Sequence, residues 1–201
     1  MAMTYVENLP IMTILCILAT GFHSSVFLMI GAGLLAWFIE NSYYYLAGWV
    51  LCVLLSYFVG NTIQAYFAGW GVGIEDERFA NYLTGEALRG EGIEVTMAFR
   101  WDFLLYSSMG VFAGWYFIFI KKFKDEYYHW IYNVFLTTNA FWALIIRAVY
   151  SNRFAQISWF IMPIVLIYPF MKQRFWLNHE KMLGYALLIF YAFAFYSNIL
   201  K

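Results

Sequence analysis

Long apolar runs separated by short polar connections constrain this chain more than any motif within it. A hydrocarbon layer offers no partner to a backbone N–H or C=O, so a segment that enters it must satisfy those groups internally, as a helix or within a closed barrel. A spanning helix needs roughly 20 mostly apolar residues. Runs of that order lie at 43–60, 101–120, 129–150, 156–171 and 182–199. Residues 9–39 are too long for one span and are interrupted by Gly21, His23, Ser24 and Ser25, so they divide. One short segment ends near Gly21, and a second begins at Ser24 or Ser25, where a hydroxyl can cap the first turn. The expected fold class is all-α, a multi-pass transmembrane helical bundle of about six to seven membrane segments. Pro163 and Pro169 each remove a helix hydrogen bond and predict a bent or shortened segment over 156–171.

Composition agrees, with 64% hydrophobic and 12% charged residues. A formal net charge of +0 gives nucleic acid no electrostatic hold, so that partner class is set aside. Cys16 and Cys52 stand in apolar runs without ligand-like spacing and read as small buried hydrophobes. Glu7 and the lack of an early Lys or Arg argue against a cleavable signal peptide. No metal-ligand spacing is present, and no cofactor is expected.

The charges set an orientation. Lys121, Lys122 and Lys124 fill one short connection and Lys172, Arg174 and Lys181 another, so both are expected in the cytoplasm. Residues 61–99 then form a long hydrophilic connection on the outer face, with acidic Glu75, Asp76, Glu77, Glu86, Glu91 and Glu94. Trp70, Phe79 and Tyr82 give it enough apolar content to fold back as a short helix or lid. The expected organisation is one membrane domain over 1–201 with 61–99 as its outer loop or lid.

On that topology His23, Arg100, Asp102, Arg147, Asn152 and Arg153 reach the outer leaflet from four segments. A guanidinium near hydrocarbon is expensive unless paired, and its planar fork matches phosphate and carboxylate oxygens. Three arginines with a histidine and a carboxylate suit a phosphorylated lipid: the forks clamp a diphosphate, and His23 or Asp102 takes a proton from an attacking hydroxyl. Each residue also has a plainer role. Arg153 at a helix boundary can snorkel to headgroups, Arg100 and Asp102 can be a helix-start pair, and His23 can be a packing residue. Arg147, about six residues or roughly 9 Å deeper than Arg153 on a continuous helix, calls for a buried partner or an aqueous pocket. Tyr43, Tyr44, Tyr45, Tyr127, Tyr128, Trp130 and Trp176 fit an interfacial aromatic belt, while Trp101, Tyr106, Tyr150 and Trp159 on the outer side can stack on sugar rings.

The strings GFHSSVFLMIGAGLL, FRWDF, TTNAFW and SNRFAQISWF with its following MPI and YP resemble the C-terminal half of the EpsG family of Wzy-like O-antigen and exopolysaccharide polymerases, from about residue 10 onward. The resemblance implies a multi-pass bacterial inner-membrane glycosyltransferase, metal-independent. It would join undecaprenyl-diphosphate-linked oligosaccharide repeats at the periplasmic face, with the lipid bilayer around it and a flippase or chain-length regulator as further partners. On the matching strings His23 falls in the family's histidine-serine turn, Arg100 and Asp102 in its arginine-aromatic-aspartate turn, and Arg147, Asn152 and Arg153 in its asparagine-arginine segment; the expected roles are catalytic for His23, Asp102 and Arg147 and substrate-binding for Arg100, Asn152, Arg153, Trp101 and Trp159. Family members are longer at the N-terminus, which leaves a truncated GT-C-like polymerase or a chain completed by a partner. Two rival readings share the outer-face histidine and arginines: a surface-glycan ligase or acyltransferase, and a non-catalytic subunit for translocation or assembly of lipid-linked glycan.

Overall fold

The computed structural model describes residues 14, 16, 18–21, 26–73, 77–94 and 97–199. They are helical throughout, apart from turns and short connections, and no strand occurs among them. In chain order the helices are α1 (Val26–Phe38), α2 (Ser42–Gly73), α3 (Glu77–Thr84), α4 (Glu86–Gly90), α5 (Trp101–Trp115), α6 (Glu126–Leu144), α7 (Ser151–Trp159), α8 (Met162–Lys172) and α9 (His179–Ile199). A π-helical turn, Tyr116–Ile120, extends α5. The interruption expected around His23 lies outside the described residues.

By length and mean hydropathy, three helical stretches among the described residues suffice to cross a membrane: Ser42–Gly69, Trp101–Ile120 and Ser151–Lys172. The exterior is correspondingly apolar. Phe38, Phe58, Phe112 and Leu188 are all exposed, a surface suited to lipid rather than to water.

α6 is the hub. Capped by the Asp125 carboxylate, which accepts from the Tyr128 amide at 2.8 Å, it buries Tyr128, Tyr132, Phe135, Asn139 and Trp142. It packs against α1, α2, α5, α7 and α8. Its partners show the direction of each helix. Ser42 meets His129 at 3.1 Å and Trp49 meets Asn139 at 2.7 Å, so α2 runs parallel to α6. The Tyr132 hydroxyl donates to the Val111 carbonyl and the Phe117 ring lies beside Tyr128, so α5 runs antiparallel. Tyr128 donates to the Val165 carbonyl and Tyr168 reaches Asp125, so α8 is antiparallel as well. Close approach of α5 to α6 depends on Gly114, where any Cβ would overlap the Tyr132 ring.

This packing gives the bundle two chemically distinct ends. At one, the lysine-bearing connections meet, with the Lys121 ammonium 4.9 Å above the Trp176 ring. At the other lie the start of α5, the end of α6 and the start of α7, which carry Arg100, Arg147 and Arg153.

Two boundaries differ from the sequence reading. α2 does not stop near residue 60 but continues to Gly73, with a kink at Val59 (φ −126°, ψ 17°). The run 129–150 is not one helix: α6 ends at Leu144, and residues 145–150 form turns. The interruption expected over 156–171 falls after Phe160, where α7 gives way to α8 just ahead of Pro163. Pro163 falls in the first turn of α8, where its missing N–H costs nothing, and Pro169 is carried inside the helix.

Candidate functional site

The turn at 145–150 organises the arginine end. Its apolar residues are drawn inward, Ile145 and Ala148 into a small core with Leu83 and Ala68, Ile146 into another with Trp142 and Ala155. Burying these side chains outweighs one more turn of helix, and it places Arg147 on a bend rather than on a continuous helix. α3 folds back onto the same turn. The Leu83 carbonyl accepts from the Val149 amide at 3.4 Å and the Tyr82 carbonyl from the Tyr150 amide at 3.2 Å. Part of the segment read as an outer loop is thus helical and seated over the arginines, while its acidic Glu75 and Asp76 lie outside the described residues.

Arg147 reaches from the turn to the kink of α2. Its terminal nitrogen donates to the Tyr57 carbonyl at 3.3 Å, and its guanidinium carbon stands 5.5 Å from the Phe99 ring centroid. Gly60 makes room: a Cβ there would stand 3.1 Å from Arg147 Nε and 3.3 Å from Ser56 Oγ. Arg147 Nε and Ser56 Oγ are buried without a hydrogen-bond partner among the described residues. So is Oε1 of Gln64, one turn further along α2. An orphaned buried polar atom costs on the order of 1–3 kcal/mol, and native interiors rarely tolerate three together.

Arg100 is differently placed. Its Nε and a terminal nitrogen donate to the two Asp102 carboxylate oxygens at 3.0 and 2.8 Å, a closed two-pronged pair at the start of α5. The guanidinium also covers the Phe103 ring at 3.6 Å, and its burial lowers the Arg100 pKa from the usual arginine value. Arg153 is exposed and held by tyrosines, donating to the Tyr82 hydroxyl at 2.6 Å and lying 4.8 and 5.3 Å from the Tyr82 and Tyr150 rings. Neither Arg147 nor Arg153 has a carboxylate within 4.0 Å among the described residues. Among the described residues, two cations therefore stand at this end without a carboxylate beside them.

The remaining sequence candidates fall in varied places. Asn152 is exposed beside Arg153. Trp101 is 60% exposed and meets Phe99 and Tyr57, ring centroids 4.5 and 5.7 Å away, beside Arg147. Trp159 turns inward, donating to Ser107 Oγ at 2.8 Å and held edge-on by Phe103 and Tyr106. His23 lies outside the described residues. No group of three or more His, Cys, Asp and Glu side chains could hold a metal ion among the described residues. Sequence reasoning missed Ser56, Tyr57, Gly60, Gln64 and Phe99. The signal for three of them was Ser56, Gly60 and Gln64 at four-residue spacing, which sets small and polar residues on one face of an apolar helix.

A helical bundle with a lipid-suited exterior and guanidinium groups gathered at one end defines a membrane protein. The chain belongs to the EpsG family, whose family model matches residues 2–201. No curated protein and no solved structure matches it.

Proposed function

We propose that this protein is a polysaccharide polymerase-like membrane glycosyltransferase. On this reading α1, α6 and α9 cross the bilayer beside the three long apolar stretches, and the arginine end faces the periplasm of a bacterial inner membrane. There it takes undecaprenyl-diphosphate-linked oligosaccharide. The observation that carries the reading is the pair of guanidinium groups, Arg147 and Arg153, beside a folded-back helix and, among the described residues, without carboxylates. Membership of the EpsG family supports it.

The acceptor hydroxyl oxygen bonds to the anomeric carbon, the bond from that carbon to the diphosphate oxygen breaks, and the diphosphate leaves with the electron pair. Arg147, with Arg100 and Arg153, stabilises the charge that develops on the leaving group. The acceptor proton goes to His23 or to Asp102. Both Asp102 oxygens accept from Arg100, and Asp102 takes the proton when the diphosphate claims the Arg100 fork. Asn152, Trp101 and Trp159 belong to the binding surface, with Trp101 the outward platform and Trp159 supporting it from within.

Arg147→Lys tests the reading in a host lacking its own polymerase. Lysine keeps the charge and loses the fork, so polymer length should collapse while the protein still reaches the membrane. Polymer of normal length from that variant removes Arg147 from the mechanism.

A further inference from the structure

Three buried polar atoms at the α2 kink share one property. Ser56 Oγ and Gln64 Oε1, on membrane-length α2, and Arg147 Nε, reaching it from the 145–150 turn, lack hydrogen-bond partners among the described residues. Ser56 is 0% and Gln64 4% exposed, with Gly60 between them on the same helix face.

The Gln64 amide has a fixed sense. Its nitrogen donates to the Leu83 carbonyl at 2.6 Å, and a carbonyl can only accept, so the amide oxygen is the atom left facing away. Leu83 also accepts from Val149, two residues past Arg147, which ties Gln64 to the Arg147 turn. The notch therefore offers a donor at Arg147 Nε, an acceptor at Gln64 Oε1 and a hydroxyl at Ser56 that can do both. Phosphate oxygens only accept, and they would leave Gln64 unsatisfied. Hydroxyl groups on a sugar ring donate and accept, and they complement all three.

We propose that Ser56, Gly60 and Gln64 of α2, with the inner edge of Arg147, form a hydroxyl-binding subsite for the sugar attached to the lipid diphosphate. It rests on the glycosyltransferase reading and places sugar and diphosphate on opposite edges of one guanidinium. Val59, non-helical between Ser56 and Gln64, marks the bend of α2 at this subsite. Gly60, lacking a Cβ, lets Arg147 Nε and Ser56 Oγ meet against α2, and Ser56 and Gln64 select for a glycosylated lipid over a bare one.

The test titrates the full chain in nanodiscs with two probes, undecaprenyl diphosphate and the same lipid bearing one hexose. Wild type should bind the glycosylated lipid about tenfold more tightly. Ser56→Ala and Gln64→Leu should each erase most of that ratio and leave affinity for the bare lipid unchanged. Ser56→Ala removes only an unpaired oxygen, so its melting temperature without ligand should equal or exceed wild type; this guards against loss of fold in Gln64→Leu. Equal affinity of wild type for the two lipids, or a ratio untouched by both variants, overturns the subsite and leaves the notch to ordered water. Binding of neither lipid removes the glycosyltransferase reading and this subsite with it.

Discussion

Arg153 and Tyr82 lie 71 residues apart in sequence and share a 2.6 Å hydrogen bond, which fastens α3 to the start of α7. Both are at the surface of the arginine end, and the guanidinium also faces the Tyr82 ring. The contact therefore combines a hydrogen bond to a charged group with a cation–π interaction.

Tyr82→Phe removes the hydroxyl and keeps the ring. At roughly 1 kcal/mol for the lost bond, opening of α3 should become about fivefold more frequent. Hydrogen exchange over 77–84 should rise by that factor and should rise further in Arg153→Ala. Unchanged exchange in both variants would show that α3 is held by Leu83 and its neighbours alone.

The α5–α6 contact gives a steric prediction. Gly114→Ala drives a methyl into the Tyr132 ring and should lower stability by about 1–3 kcal/mol, read as a fall in the melting temperature of the purified protein. Gly48→Ala, in α2 with nothing within 4 Å of its Cβ position, should leave stability unchanged or raise it. Equal effects at the two positions would remove the packing argument.

Asn139 is the polar link between three helices. It accepts from the Trp49 indole at 2.7 Å and donates to Ser158 Oγ at 2.8 Å. Asn139→Leu leaves the indole N–H without its acceptor and should cost about 2–3 kcal/mol. Trp49→Phe in the same background should recover part of that loss, because the stranded donor is gone. A double variant no better than the single one would show that Asn139 acts through its volume.

Separation of the two ends is testable in cells. Single cysteines at Lys122 and Arg153, in a chain lacking Cys16 and Cys52, should react with impermeant maleimide from opposite sides of the membrane. Labelling of both from one side would place the lysine and arginine ends together and end the proposed topology.

The helical class was legible because apolar runs leave the backbone no alternative. The ends of the runs were harder to read. Gly60, Asn61, Thr62 and Gln64 look like the start of a loop, yet Gln64 is buried because Leu83, returning on α3, supplies its acceptor. Leu144, Ile145 and Ile146 look like continuing helix, yet Ile145 and Ile146 turn into two separate cores. Both errors arise from tertiary contacts between residues far apart in sequence, which a local pattern does not contain. Arg100, Arg147 and Arg153 were found as candidates at one end of the bundle, while the α2 wall facing Arg147 was hidden by ordinary residue types. The string TTNAFW proves structural in large part: Thr137 and Thr138 bond back to their own helix, Asn139 joins α2 to α7, and Trp142 donates to Ser151.

Parallel packing of α2 on α6 sets an order of events during synthesis. Trp49 leaves the ribosome 90 residues ahead of the Asn139 that receives its indole, so α2 is made before this acceptor exists. This polar tie between the two helices can close only once α6 has been made.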